Sequence, residues 1–493
     1  MMVAAWLGCA AWALSSPPGS SPDEWAHLAS AWEANSGQDI SAAHPVAPVA
    51  LVNAAACLDR RAPVAHGSAG ACIVAVLASS KDTIEVANST ASYPPLFHRF
   101  LSVFVGSDLA RSVYWMRLWV SLVSVLLVAF PLLVLAVSRG DVQPVAVASA
   151  IAMGPLAWFL ISSINPSAWE MAGAVCAWGC GLSLVLSHGR AAIVLSGIGI
   201  AGGLAVGALS KPGGGSLAAL GLVLAAPLWL SSRARGGRRN AWAWWAAAYA
   251  GLAVVGMLAV ARGALDVDWG PHYTRVPITW HLLLDNLIGS PDYVLTSLGP
   301  VGWLDTATGT FATLAFLGAG GYLVLSAFRQ GHRVLSLCLA AVTLAACFAP
   351  AIILTASHSV VGVGFQSRYI WPLAVGTLFV ACLGLALNGR LAEVLGGHVR
   401  LVVVSTLTLG TMMALWLNIQ RYARTVVLGF PYRQTGPSTW APPALGTAGT
   451  VLLGLLAFAA FYTLTLMSWN SREPAQEPRG DAANDEATSV SGS

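Results

Sequence analysis

Apolar residues run through this 493-residue chain in long blocks, not in the short alternating patches of a water-soluble domain. Crossing the hydrocarbon core of a bilayer takes about 20 apolar residues, and roughly twelve runs reach or approach that length. They lie near 2–16, 112–138, 142–163, 167–188, 191–210, 214–231, 241–262, 308–328, 334–355, 369–388, 400–418 and 444–468. Backbone amides in lipid must bond within their own segment, and such runs are too long for barrel strands, so the spans are expected to be helices. The pattern predicts an all-α polytopic membrane protein. A transmembrane domain covers 1–470, with outer loops at 17–111 and 263–307. A polar tail at 471–493, poor in large apolar residues, is expected to stay disordered.

The first run is the shortest and lacks a basic flank. No small-residue cleavage site precedes Pro17-Pro18, so it reads as a first span and not as a removed leader. In the first outer loop, Trp25, Leu28, Ala29 and Trp32 recur at helical spacing. They predict an interfacial helix with Pro22 in its first turn and Ser20 or Ser21 as its cap. The stretch 39–81 reads as irregular. A second interfacial helix is expected after Pro94-Pro95, and a short helix around Trp280–Ile288.

Only 9% of the residues are charged and the net charge is +4, which gives no basis for nucleic-acid binding. The mean hydropathy of +0.70 excludes an ordinary soluble domain. The arginines are more informative than the total. Arg139, Arg190, Arg233/Arg235/Arg238/Arg239, Arg329/Arg333, Arg390/Arg400 and Arg472 fall at alternate turns. By the positive-inside rule those turns are cytoplasmic, both termini lie inside, and the remaining turns face out across the cytoplasmic membrane. Of eight cysteines, Cys9, Cys176, Cys180, Cys338, Cys347 and Cys382 sit in apolar runs and read as packing residues. Cys57 and Cys72 share the first outer loop, where an oxidising compartment permits a disulfide. Their spacing alone leaves open whether they form one.

The unusual polar motifs fall on the outer side. Asp23 and Glu24 are adjacent; helical neighbours point about 100° apart, so one faces a cavity while the other pairs or caps. A carboxylate there suits a general base, and equally a helix N-terminus. His27, one turn on, could orient Asp23. Tyr93 opens the Tyr-Pro-Pro turn. Asn165-Pro166 fits a helix start, but Glu170 falls just inside a span, where an acid faces a cavity or a partner. Lys211 precedes Pro212-Gly213-Gly214-Gly215, whose amides could approach a phosphate, although this is no Walker motif and a snorkelling lysine fits as well. Gln366, Arg368 and Tyr369 open another span. Arg grips phosphate with a planar fork; the alternative, an interfacial anchor in an aromatic belt, fits Trp371 better than it fits Arg368.

The ordered set Ser21-Pro22-Asp23-Glu24-Trp25-Ala26-His27, Tyr93-Pro94-Pro95-Leu96-Phe97, Asn165-Pro166-Ser167-Ala168-Trp169-Glu170, Lys211-Pro212 and Gln366-Ser367-Arg368-Tyr369-Ile370-Trp371-Pro372-Leu373 resembles a bacterial family of predicted membrane proteins. That family carries no assigned function and is grouped with the GT-C glycosyltransferases. The resemblance implies a GT-C-like fold and an inverting transferase. It would move a sugar from a polyprenyl-phosphate donor to a cell-envelope glycan or lipid acceptor on the outer face. By analogy Asp23, with Glu24 beside it, is the expected catalytic residue pair, and Asp23 would deprotonate the acceptor hydroxyl. Arg368 and Lys211 would hold the donor phosphate, with His27, Tyr93, Asn165, Glu170, Gln366 and Tyr369 lining the substrate. No cofactor is required; a divalent metal is compatible, with Asp23, Glu24 and Glu170 as oxygen ligands. The Ala-rich, Lys-poor composition resembles that of a high-GC actinobacterium. The competing expectations are a flippase or transporter of lipid-linked glycan precursors, which calls for inverted repeats not evident here, and a non-catalytic scaffold.

Overall fold

The computed structural model describes residues 1–37, 46–58, 68–79, 82–86, 90, 92–187, 189–233, 276–330, 333–427, 433–435 and 437–467. The span expected at 241–262, the arginines at 235, 238 and 239, the loop start at 263–275 and the tail lie outside the described residues.

Among the described residues, eight helices are long and apolar enough to cross a membrane. They are α6 (Leu109–Val137), α9 (Ser167–Leu186), α10 (Arg190–Ser210), α14 (Thr310–Gln330), α15 (Arg333–Ala356), α16 (Ser367–Leu387), α18 (His398–Ala423) and α19 (Gly446–Leu466). Two shorter apolar stretches join the bundle: α1 (Met2–Leu14) and the first part of α11 (Ser216–Arg233). α1 packs between α6 and α19 and buries Trp12.

The run at 142–163 is not the single straight span its hydropathy suggests. It is a pair, α7 (Gln143–Ala152) and α8 (Pro155–Ile161), bent by 88°. Pro155 has no N–H to continue the ladder, and Met153 leaves helical geometry with ψ 61°. One carbonyl freed at the break is satisfied within the protein: Tyr462 OH donates to Met153 O while accepting from Trp158 Nε1. The two ends of the pair still reach opposite faces. Gly140 lies against Leu186 at the far end of α9, and Ile164 N reaches Glu24 beside the start of α9.

α10 lies against α9 along a stripe of glycines. A Cβ at Gly203 would meet Gly173 O at 2.4 Å, and one at Gly173 would meet Gly203 O at 2.3 Å. Small residues let helix backbones approach where no hydrophobic force acts between helices. The close approach carries Lys211, at the end of α10, over the first turn of α9. A Gly203→Val variant should force the pair apart and destabilise the protein by about 3 kcal/mol, the upper part of the overpacking range. Thermal unfolding in detergent micelles measures it; an unchanged melting temperature would show that the interface relaxes freely.

The segment between α1 and α6, expected to be an outer loop, is more ordered than its composition suggests. It contains α2 (Glu24–Asn35), β1 (Val46–Pro48), α3 (Val49–Ala56), α4 (Ala69–Leu77), β2 (Thr83–Glu85) and α5 (Pro95–Ser102). β1 and β2 pair antiparallel, with Ala47 opposite Ile84. Cys57 and Cys72 are bonded, joining the ends of α3 and α4. α2 begins two residues later than its sequence suggests, with Asp23 and not a serine as the preceding residue. It does not lie bare at an interface: Glu24, His27, Leu28, Ser30 and Ala31 are buried under α5 and β1. Trp25 and Trp32 are only partly covered.

Beyond the undescribed stretch, α12 (Trp280–Gly289) and α13 (Asp292–Thr296) precede α14. A four-residue turn of helix, α17 (Leu391–Val394), and a strand pair, β3 (Thr425–Val427) with β4 (Arg433–Thr435), complete the described elements.

Candidate functional site

The residues from Ser15 to Asp23 form a strap between α1 and α2, and side chains from distant elements seize its backbone. Asn418 Nδ2 donates to Ser15 O at 3.5 Å and to Ser15 Oγ at 2.8 Å. Arg117 donates to the carbonyls of Ala13, Ser16 and Pro17 at 3.0, 2.7 and 2.8 Å. Trp303 Nε1 donates to Gly19 O, and Tyr422 OH to Ser20 O. Asn165 Nδ2 donates to Pro22 O at 2.7 Å, while its Oδ1 accepts from Ser167 N and starts α9. Carbonyls buried without partners cost free energy, so each of these side chains fixes the path of the strap.

Arg117 also binds Glu24. Its Nε donates to Oε1 at 2.9 Å and its Nη2 to Oε2 at 2.8 Å, a two-pronged contact with both side chains fully buried. Ser21 N and Ile164 N donate to the same carboxylate. Every oxygen of Glu24 is thus engaged inside the protein. Of the two adjacent acids, Glu24 turns inward and Asp23 turns outward.

Asp23 takes a left-handed backbone conformation, φ 59°, which Asp tolerates better than most residues. Its side chain does not cap α2 and stays 53% exposed. Arg368, in the first turn of α16, reaches it: Nη2 to Oδ2 is 2.6 Å. The guanidinium is buried, and its Nε and Nη1 have no partner among the described residues. Gln366 Oε1, just before α16, is likewise buried and unpartnered there. A cation at a helix N-terminus opposes the helix dipole, so α16 does not hold Arg368 there by electrostatics.

Lys211 Nζ pairs with Glu170 Oε2 at 2.7 Å and sits 4.1 Å from the centre of the Tyr369 ring. Arg368 lies 5.2 Å from the centre of the same ring. Tyr369 thus lies beside both cations. The glycines after Lys211 do not form an open phosphate cradle. Gly214 N is bonded to Lys211 O and Ser216 N to Gly213 O, and a Cβ at Gly214 would meet Gly207 O at 2.0 Å. These glycines serve the tight turn from α10 to α11.

His27 does not turn its ring to Asp23. Its Nδ1 lies 3.1 Å from His98 Nε2 on α5, with Tyr93 edge-on at 5.2 Å. Burial, then His98 and the charges of Arg368 and Lys211, hold His27 well below its ordinary value. Burial brings His98 down to about 4. Burial, with Tyr369, Asp23 and Glu170 nearby, keeps the Tyr93 phenol protonated far above its ordinary value. The histidines therefore join α2 to α5 as neutral rings. A protein opened in this region binds a proton with an ordinary value near 6.5, while the closed form resists until about 4. Stability is therefore intact above pH 6.5 and falls as pH drops from there towards 4, with about 3 kcal/mol at stake through His98. Melting temperatures between pH 7.5 and 4.5 should show this loss, and His98→Asn should reduce it, leaving the part that belongs to His27. A variant as pH-sensitive as the parent would remove His98 from the account.

The three acids expected to share a metal each face a separate cation: Asp23 faces Arg368, Glu24 faces Arg117 and Glu170 faces Lys211. Among the described residues no three His, Cys, Asp or Glu side chains converge as a ligand set. The structure brings Asp23, Arg368, Lys211, Glu170, Tyr369 and Tyr93 together, and gives Asn165, His27 and Glu24 bonds within the scaffold. Reading the sequence missed Arg117, although an arginine inside an apolar run is a signal in itself. It also missed Asn418 and Tyr422, which look like ordinary residues near a helix end, and Arg421, which pairs with Asp305 at 3.1 Å and donates to Leu58 O.

Fold and site together define a polytopic α-helical membrane protein with a charged cluster where several helix ends meet. The chain belongs to the family described as Predicted membrane protein (DUF2142), whose model matches residues 7–377. Comparison with curated proteins and with solved structures gave no match.

Proposed function

We propose that this protein is a GT-C-like glycosyltransferase that moves a sugar from a polyprenyl-phosphate donor to an envelope glycan or lipid acceptor, with inversion. One observation carries the reading. A half-exposed carboxylate, Asp23, lies 2.6 Å from a buried guanidinium with two nitrogens unpartnered among the described residues, and Lys211 lies across the Tyr369 ring. Such a guanidinium suits a phosphate oxygen, because buried donors without acceptors are costly. In the reaction, Asp23 takes the proton of the acceptor hydroxyl and that oxygen attacks the anomeric carbon. The bond from this carbon to the phosphate oxygen breaks, and the phosphate leaves towards Arg368 and Lys211. A single displacement inverts the anomeric centre. Glu24 positions Asp23 and takes no part in the transfer.

The outer face of the cytoplasmic membrane is the reading of the site's side that fits best. The Cys57–Cys72 disulfide belongs to an oxidising compartment, and Arg139, Arg190, Arg329 and Arg390 lie at the opposite ends of the helices.

Glycan analysis of the envelope of a deletion strain tests the activity; an unchanged envelope would reject it. For the phosphate site, Arg368→Ala should weaken binding of a polyprenyl-phosphate sugar about tenfold or more, the worth of one or two charged hydrogen bonds. Unchanged donor affinity would remove Arg368 from that role. Lipid-linked glycan crossing between leaflets of liposomes with no new glycosidic bond would instead establish a transporter.

A further inference from the structure

We infer that residues 276–308 are not a loop lying over the membrane but a re-entrant hairpin. In this reading the hairpin dips into the bilayer from the site face and rests one side of α12 and α13 on lipid hydrocarbon chains.

The contacts along α12 report its depth. At its start, Val276 N donates to His358 O, beyond the end of α15. In its middle, Asn286 Nδ2 donates to Thr355 Oγ1 and Ser359 O, and its Oδ1 accepts from Val361 N. At its end, Ser290 Oγ donates to Cys347 O at 2.8 Å. Cys347 lies nine residues before Ala356, the last residue of α15. At 1.5 Å per residue that is roughly 13 Å inside the span. α12 therefore descends along α15. The chain then turns through α13, where Leu298 O accepts from Leu156 N at the α7–α8 break. It climbs back to the strap, where Trp303 meets Gly19.

The surface of α12 fits that descent. Leu282 and Asn286 face the protein. Away from that side Trp280, Leu283 and Ile288 are exposed, with Ile288 at 72%, and Leu295 of α13 is 50% exposed. The outward stripe of α15, Leu337, Leu344, Phe348 and Ile352, is exposed too and ends one turn before Thr355, where Asn286 docks. An apolar face beside a lipid-facing stripe, at a depth where water is excluded, has hydrocarbon as its occupant. The irregular backbone at the tip is tolerated because the protein satisfies it: Gly299 N is bonded to Thr296 O, and Leu298 O to α8. His281 and Asp285 are exposed too, one to two turns before Ile288 along the same side of the helix and so nearer the site face, where headgroups or water can reach them.

The hairpin also touches the site. Tyr293 OH accepts from Gly362 N, and its ring packs edge-on to Phe365 at 5.0 Å. Phe365 packs on Tyr369 at 5.5 Å, the ring beneath Lys211. A lipid-seated element is thus linked to the cation pair by three aromatic rings.

Nitroxide labels on cysteines placed at 281, 285, 288 and 295 test the proposal. The protein is reconstituted in phosphatidylethanolamine–phosphatidylglycerol vesicles, with the parent chain as the labelling control. Collision with oxygen should exceed collision with a water-soluble nickel complex at 288 and 295, and the ratio should reverse at 281 and 285. Nickel access at 288 and 295 equal to that at 285 would overturn the insertion. Exclusion of both reagents there would show that protein and not lipid covers the face, which also overturns it. Neither result bears on Asp23 or Arg368, so the proposal stands or falls apart from the transferase reading.

Discussion

An Asp23→Asn variant should fold, bind donor normally and lose sugar transfer about a hundred- to ten-thousandfold, the usual contribution of one general base. The amide keeps the shape of the side chain, and its oxygen can still accept from Arg368 Nη2, but it cannot take a proton from the acceptor. Asp23 is half-exposed but its partner Arg368 is buried, so losing the acid's charge should also lower the melting temperature, which is read separately from the rate. The measurement is initial transfer rate beside donor affinity and melting temperature on the same preparation. Full activity would reject Asp23 as the base; lost donor binding would show that the acid serves only to steady Arg368.

Arg117→Met should cost about 3–5 kcal/mol and leave little folded protein, because it strands the buried Glu24 charge. The double variant Glu24→Gln/Arg117→Met separates two causes. If the ion pair were the whole role of Arg117, a neutral pair of similar volume would restore most of the stability. Arg117 also closes the carbonyls of Ala13, Ser16 and Pro17, so the double variant should remain well below the parent. Unfolding temperatures of the single and double variants decide the point, and parental stability in the double would sink the capping role.

Much of the architecture is legible in hydropathy because span length is a physical constraint with one common solution, the helix. The break at Met153-Gly154-Pro155 is less legible. A Gly-Pro step inside an apolar run is compatible with a modest kink, and the 88° bend depends on Tyr462, far along the chain, to satisfy Met153 O. For the cluster, the types Asp23, Glu170, Lys211 and Arg368 stand out in a chain so poor in charge. Their partners do not. Whether Asp23 or Glu24 faces outward is set by Arg117, and no local pattern near residue 23 encodes that choice. The helix over 24–35 looks amphipathic, yet it is buried because α5 and β1 cover it, a tertiary outcome that periodicity does not contain. Trp280–Ile288 is recognisable as a helix from sequence, but its depth is set by Ser290 meeting Cys347.

The strap between α1 and α2 also bears on how the gene could be cut. The family match ends at residue 377, but Asn418 and Tyr422, which hold Ser15 and Ser20, come later, as does α19, against which α1 packs. A shortened expression product ending at the boundary of the match would keep every charged residue of the cluster and lose the clamps that aim Asp23. The stretch from residue 378 through α19 is therefore no optional appendage, and a minimal version of this protein has to retain it.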